Sequence, residues 1–302
     1  MLVLNDTRLE YSAMQTAKPF DSDFYDLRQS IKSSLGEALA LLLPSRAAQL
    51  TERPTRKAGS FLDRLLIQGL IRSKSRQGDH AFLARLHRAE WEQDLCEDFC
   101  VNTTYRFQNW FLEKHVVAID ALEEEWNATD PDVSKARPTF DHFVEVGCGS
   151  GQVTRYMANR FPQLSTYTGI DICPQQIERN NAETENEQIS FVAGDGLKWI
   201  RDNLQQNTLF MTNGGVLEYF APAELDQLFG DLKASSPSMV VTIEPIAADH
   251  DLVEQTESRP FGEERSFSHN YPEALRRNGF EIVFQDECRA DNYRFVMIVS
   301  KA

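Results

Sequence analysis

The chain lacks several things. Across its 302 residues no run of about 18 apolar side chains occurs, so no membrane-spanning helix is expected. Its first residues, Met1-Leu-Val-Leu-Asn-Asp-Thr, carry no basic flank followed by an apolar stretch, and a secretory leader is not expected either. Cysteine is scarce and odd in number, five in all: Cys96, Cys100, Cys148, Cys173 and Cys288. That count argues against a disulfide framework and for a reducing, cytoplasmic setting. Cys96 and Cys100 lie four apart without a second pair or nearby histidines, so no metal site is expected. Positive charge is in deficit: 31 basic against 46 acidic side chains leave a net charge of −15. Such a surface repels phosphate backbones, so nucleic acid is a poor partner.

What is present is ordinary for a globular protein: 41% hydrophobic and 25% charged residues. The length suggests two domains, or one with a large extension. The acidity is uneven. Residues 1–140 carry 18 basic and 21 acidic side chains (net −3), and the remainder 13 and 25 (net −12). Within 51–90 the balance inverts, nine basic against four acidic. That stretch reads first as a solvated helix face, with collection of an anionic substrate group as the functional alternative.

The first part reads as helical. An apolar stripe through Leu35, Leu39 and Leu41–Leu43 stops at Pro44. Ser60 and Asp63 form a capping-box pattern ahead of Phe61, Leu62, Leu65, Leu66 and Leu70. Asp79 can cap the next helix, and another is expected from about Thr104 to Trp126. Asn127–Pro138, with two prolines and almost no large apolar residue, reads as a linker between a helical region, 1–138, and a second domain, 139–302.

Beyond the linker, strand-like runs alternate with helix-like stretches. The candidates are His142–Val146, Tyr167–Ile170, Ile189–Val192, Leu209–Thr212, Met239–Ile243, Phe280–Phe284 and Arg294–Val299. Alternation predicts a mostly parallel sheet with helices on both faces, a doubly wound α/β fold. The last two candidates are too close for a helical crossover and should pair antiparallel.

The most informative stretch is Glu145-Val-Gly147-Cys148-Gly149-Ser-Gly151, an apolar strand running into three alternate glycines and then a helix. Glycine permits a tight turn and close approach of a ligand to the backbone, and the helix start offers free amides. Asp171, with Ile172 beside it, ends the second strand, where a carboxylate can accept from a ribose diol. Asp195 and Gly196 follow the third, where a carboxylate and the adjacent backbone can read an adenine edge. Three successive strand ends thus carry an acid, and in open α/β sheets such ends line one crevice.

These residues resemble the class I S-adenosylmethionine-dependent methyltransferases, over about Phe140 to Ala302. The resemblance implies a Rossmann-like sheet of seven strands with an antiparallel C-terminal strand, and S-adenosylmethionine as cofactor. It implies that Gly147, Cys148, Gly149 and Gly151 face the methionine part. Glu145 would help hold its amino group, with Asp171 on the ribose and Asp195 on the adenine. Asn213 stands where many members have an acid, near the methyl group. A nicotinamide dinucleotide enzyme is the main competitor, but its third glycine would fall at 152, which is Gln.

Methyl transfer from a sulfonium needs alignment and exclusion of water, and a base where the acceptor carries a proton. Candidates for that base are Glu218, after the fourth strand, Glu244, after the fifth, and His269 and Tyr271. Their alternatives are a helix-start acid for Glu218, a capping residue for His269 and core packing for Tyr271. Tyr105, Arg106, Trp110 and His115, on the helix before the linker, are candidate pocket-wall residues, as is Tyr219. No Pro-Pro-aromatic segment follows the fourth strand, where enzymes acting on base amines often carry one. A small-molecule acceptor is therefore the first expectation. A protein substrate and a non-catalytic cofactor-binding protein are the rivals. The acceptor atom and the oligomeric state are open.

Overall fold

The computed structural model describes residues 22–52, 60–92, 107–127, 140–236, 238–262, 265–290 and 293–302. All seven strand candidates form one sheet. They are β1 (His142–Val146), β2 (Thr166–Asp171), β3 (Ile189–Ala193), β4 (Thr208–Asn213), β5 (Ser238–Ile246), and, after a small hairpin, β8 (Glu281–Ala290) and β9 (Tyr293–Lys301). The order is β3-β2-β1-β4-β5-β9-β8. β1 to β5 run parallel, and β9 is antiparallel to both its neighbours. The order reverses between β1 and β4, where a doubly wound sheet opens its crevice.

Both faces of the sheet are covered, and each strand divides its side chains between two cores. On one face Phe143, Leu209, Val241 and Met297 pack against Met157 and Phe161 of the first crossover and against Ala118, Ile119 and Leu122. On the other, Val144, Phe210, Val240 and Ile298 pack against Leu228, Phe229, Leu232 and Leu275. The alternation of neighbours such as Phe143 and Val144 sets which face each crossover helix covers.

The N-terminal helices are α1 (Ser22–Leu42), α2 (Pro44–Glu52), α3 (Phe61–Gln77) and α4 (His80–Glu90). The expected capping box is present: Ser60 Oγ accepts from the Asp63 amide, and Asp63 accepts from the Ser60 amide. Asp79 caps α4 by accepting from the Phe82 amide. α1 and α3 cross glycine on glycine; a Cβ on Gly69 would stand 2.2 Å from the Gly36 carbonyl carbon. Buried Leu66, Ile67, Leu70, Phe82, Leu83 and Leu86 form their core, closed by Phe267. The leucine stripe is not packed as periodicity suggests: Leu41 and Leu42 are 84% and 75% exposed, and Phe61 68%.

Two features were not legible in the sequence. A hairpin of β6 (Arg259–Phe261) and β7 (Ser266–Ser268) leaves the sheet after β5 and carries Phe267 to the helical core. The helix before the linker opens as a π-helical turn, Phe107–His115, and continues as α5 (Val116–Asn127). α5 packs on the sheet itself, whereas α1 to α4 pack on one another and on the hairpin. The cysteine expectation needs a correction. Cys148 and Cys288 are free, but Cys173 is disulfide-bonded, so the low count no longer supports a reducing compartment. Cys96 and Cys100 lie outside the described residues. Among the described residues no helix is long and apolar enough to cross a membrane.

Candidate functional site

A cavity opens at the C-terminal ends of β1 to β4, under α4 and the π-helical turn. One wall is the glycine loop and its followers. Gly147 and Gly151 have φ of 75° and 72°, the left-handed region that favours glycine. A Cβ on Gly147 would meet a Val216 methyl at 2.3 Å, and one on Gly151 would meet the Phe191 ring at 2.5 Å. The loop is therefore held closely against its neighbours, and Asp171 ties it down. The Asp171 carboxylate accepts from the Gly149 amide at 2.8 Å and from the Cys173 amide at 3.0 Å. Burial raises its pKa, and those amides oppose the rise. Each oxygen keeps a lone pair for a diol.

Glu145 is buried on the same wall and accepts from the Thr154 hydroxyl. Burial pushes its carboxyl up to about 8. It is thus a neutral acid near pH 7 that a cation could ionise. Asp195 lies at the far end, with Oδ1 capping the next helix at the Lys198 amide (3.0 Å). Its Oδ2 pairs with Arg88 of α4 at 3.0 Å, and Arg88 also reaches Glu224 at 2.8 Å. Both oxygens of Asp195 are thus already engaged, and α4 is bound to the cavity's rim.

The opposite wall is aromatic. Trp110 and His115 from the π-helical turn meet Phe295 of β9, Phe111 packs edge-on to His115, and Trp91 packs on Tyr219, ring centroids 5.6 Å apart. Short π-helical turns often occur at functional sites. His115 is buried, with Nδ1 3.0 Å from Asn213 Oδ1.

Of the residues singled out from the sequence, the cavity is lined by Glu145, Gly147, Cys148, Gly149, Asp171, Ile172, Asp195, Gly196, Asn213, Trp110, His115 and Tyr219. Gly151 sits behind the wall, at the start of the helix Gln152–Arg160. Tyr105 and Arg106 lie outside the described residues. The four candidate bases are not brought to the cavity. Glu244 is fully buried, accepting from the Val216 and Leu217 amides at 2.8 and 3.0 Å, and burial pushes it up to about 8. His269 is also enclosed. Its Nε2 faces the Leu217 and Phe220 carbonyls at 3.1 Å, its Nδ1 faces Ser258 Oγ at 2.7 Å, and burial lowers it to about 3. Tyr271 is buried in the second core, and Glu218 is buried under the loop. The physical reason is common to all four: the loop after β4 folds back as a short 3-10 turn, Leu217–Tyr219, and the hairpin seals it. Arg88, Trp91 and Phe295 are wall residues that sequence reasoning missed. Arg88 falls within the basic stretch, which is the one signal that pointed there.

Residues 143–235 match the family model described as a methyltransferase domain. The chain carries an S-adenosylmethionine-dependent methyltransferase domain. A curated relative, a probable chloroplastic tocopherol O-methyltransferase of Oryza sativa subsp. japonica, is 36% identical over 75 residues, 24% of this chain and 20% of that protein. The matched stretch thus spans a fifth of that relative. Among solved structures, Haemonchus contortus Phospholethanolamine N-methyltransferase 2 superposes with a TM-score of 0.50 at 11% identity, covering 71% of this chain and 59% of that one. The N-methyltransferase NodS of Bradyrhizobium japonicum WM9 gives 0.47 at 15% identity, covering 69% and 98%. At 11% identity the Haemonchus contortus structure shows the fold alone.

The cofactor of the methyltransferase domain is S-adenosylmethionine, and the site's chemistry fits it. The lining holds three carboxyl groups, and its guanidinium, Arg88, already pairs with carboxylates. A cationic, phosphate-free ligand suits that wall, whereas a pyrophosphate does not.

Proposed function

We propose that this protein transfers a methyl group from S-adenosylmethionine to a small-molecule acceptor. The observation that carries the reading is the continuity of the carboxylate wall with the aromatic wall in one cavity covered by α4. The helices before residue 138 supply the cover, and the chain from 139 onward supplies the cofactor platform. The named substrate of the rice relative, tocopherol, is a small molecule and agrees with this.

The cofactor brings an electrophilic methyl group on a sulfonium. Asp171 holds the ribose diol through the lone pairs left free by the Gly149 and Cys173 amides. Asp195 and Gly196 border the adenine, with Arg88 fixing the carboxylate. Gly147, Cys148 and Gly149 present backbone to the methionine part, and Gly151 shapes the turn behind them. Glu145 ionises against the cationic amino group, and Asn213 faces the methyl end. Trp110 and Tyr219 exclude water from the acceptor.

Calorimetric titration with S-adenosylmethionine, with NAD run beside it, tests the reading. The wild type should bind S-adenosylmethionine at micromolar concentration. Asp171→Ala, which removes both the diol acceptor and the tie on the loop, should weaken it at least about 100-fold, or about 2.7 kcal/mol. Binding of NAD instead, or equal binding by the variant, would overturn it. Labelled-methyl incorporation into protein rather than into small-molecule fractions would move the acceptor class to a protein, and no incorporation into either would leave a binding protein.

A further inference from the structure

His115 lines the cavity, and its Nε2 is buried without a hydrogen-bond partner among the described residues. Only 3% of the residue is exposed. Its other nitrogen is engaged: Nδ1 lies 3.0 Å from the carbonyl oxygen of the Asn213 side chain. An oxygen only accepts, so Nδ1 carries the proton and Nε2 bears a lone pair. Burial holds the imidazole down at about 4, which keeps this neutral form at working pH. A buried acceptor left unpaired costs about 1–3 kcal/mol, and such an atom in a native structure calls for a partner that arrives later.

The position says what that partner is. Asn213 ends β4, on the opposite side of β1 from the acids of β2 and β3. The adenosine side and the His115 side are therefore the two ends of one cavity. Around His115 the walls are rings: Phe295 at 5.2 Å between centroids, Phe111 at 6.4 Å, and Trp110 against Phe295 at 6.1 Å. The pocket suits a flat, apolar acceptor that offers one proton.

Resting on the methyltransferase reading above, the geometry points to His115 Nε2 as the proton acceptor for a hydroxyl on a flat, aromatic small molecule. Asn213 is its positioning residue, fixing the tautomer. The step balances. A lone pair of the hydroxyl oxygen forms the bond to the methyl carbon as the carbon–sulfur bond breaks. The sulfur keeps that bonding pair and becomes a neutral thioether. The hydroxyl proton passes to Nε2, giving an imidazolium that returns it to water when the product leaves.

The test uses the full chain labelled with ¹⁵N at histidine, with phenol, catechol and 2-naphthol as probes and toluene and naphthalene as hydroxyl-free controls. S-adenosylhomocysteine is added first. If it does not bind, the cofactor reading itself fails. With it bound, the His115 Nε2 signal should be that of an unprotonated ring nitrogen. It should shift saturably with at least one hydroxyl probe and with neither control. A shift completed by S-adenosylhomocysteine alone, or no response to any hydroxyl probe, overturns the proposal. With labelled S-adenosylmethionine the responding probe should be O-methylated. His115→Gln should lower kcat by about 100-fold or more with KM changed less than about threefold. Calorimetric binding of S-adenosylhomocysteine to His115→Gln checks that the variant is folded. A folded variant with unchanged kcat overturns the proposal.

Discussion

The strand ends on either side of the sheet's reversal point carry similar chemistry and use it differently. After β1, β2 and β3, Glu145, Asp171 and Asp195 all border the cavity. After β4 and near the end of β5, Glu218 and Glu244, with His269 and Tyr271 behind them, are buried away from it. The first group meets a glycine loop that stays open above the strands. The second lies under a loop that turns back and is sealed by the β6–β7 hairpin, so Glu244 Oε2 and His269 Nε2 pair with backbone amides and carbonyls instead. An ionisable residue at a strand end is thus a site residue only where nothing packs on top of it. Two histidines make the same point: His269 has partners at both ring nitrogens, and His115 at one.

Three variants sharpen this contrast. The largest effect is expected from His269→Ala, which removes the donor to the Leu217 and Phe220 carbonyls and leaves a cavity. Unfolding free energy from denaturant titration should fall by about 2–4 kcal/mol. S-adenosylmethionine affinity should change only a few-fold. A large loss of affinity with stability intact would place His269 with the site instead.

Glu244→Gln should show its effect in the pH dependence of stability. The wild-type carboxyl titrates near 4.5 when unfolded and about 8 when folded. Between those values the native state holds a proton that the unfolded state has released. Its contribution is therefore complete below about 4.5 and is lost as pH rises through about 8, at up to about 1.4 kcal/mol per pH unit. Gln keeps an acceptor for the Val216 and Leu217 amides and does not titrate. The variant should gain stability relative to wild type from pH 5 to pH 8, measured by denaturation across that range. Parallel curves would show that Glu244 is already ionised in the fold.

The smallest effect should come from Arg88→Ala. Its pairs with Asp195 and Glu224 involve side chains between a quarter and a third exposed, so the loss should stay below about 1 kcal/mol and shrink with added salt. Cofactor affinity should shift less than about fivefold. A larger loss would make α4 part of the cofactor site rather than its cover.

The seven strands were readable because each is a short apolar run of the right length, bounded by breakers and separated by helical periodicity. The capping box at Ser60 and the cap at Asp79 were readable because they are local hydrogen-bond patterns. The packing of Leu41 and Leu42 was not: periodicity marks an apolar stripe but does not say whether another element covers it. Phe295 gave no signal, since it opens an apolar run, Phe295–Val299, in which the residue that borders a cavity looks like the rest. Nor did the hairpin, whose three-residue strands lie below the length at which alternation can be recognised.

By itself the sequence determined the sheet's elements, the glycine turn and the acids that follow the first three strands, because short-range sterics and hydrogen bonding act over a few neighbours. Tertiary structure decided which polar groups border the cavity and which are sealed beneath it. Burial and the pairing of ring nitrogens depend on residues far apart in the chain: His115 meets Asn213 across 98 positions, and His269 meets Leu217 across 52. No local pattern encodes such a meeting, and it alone leaves Nε2 of one histidine free and both nitrogens of the other occupied.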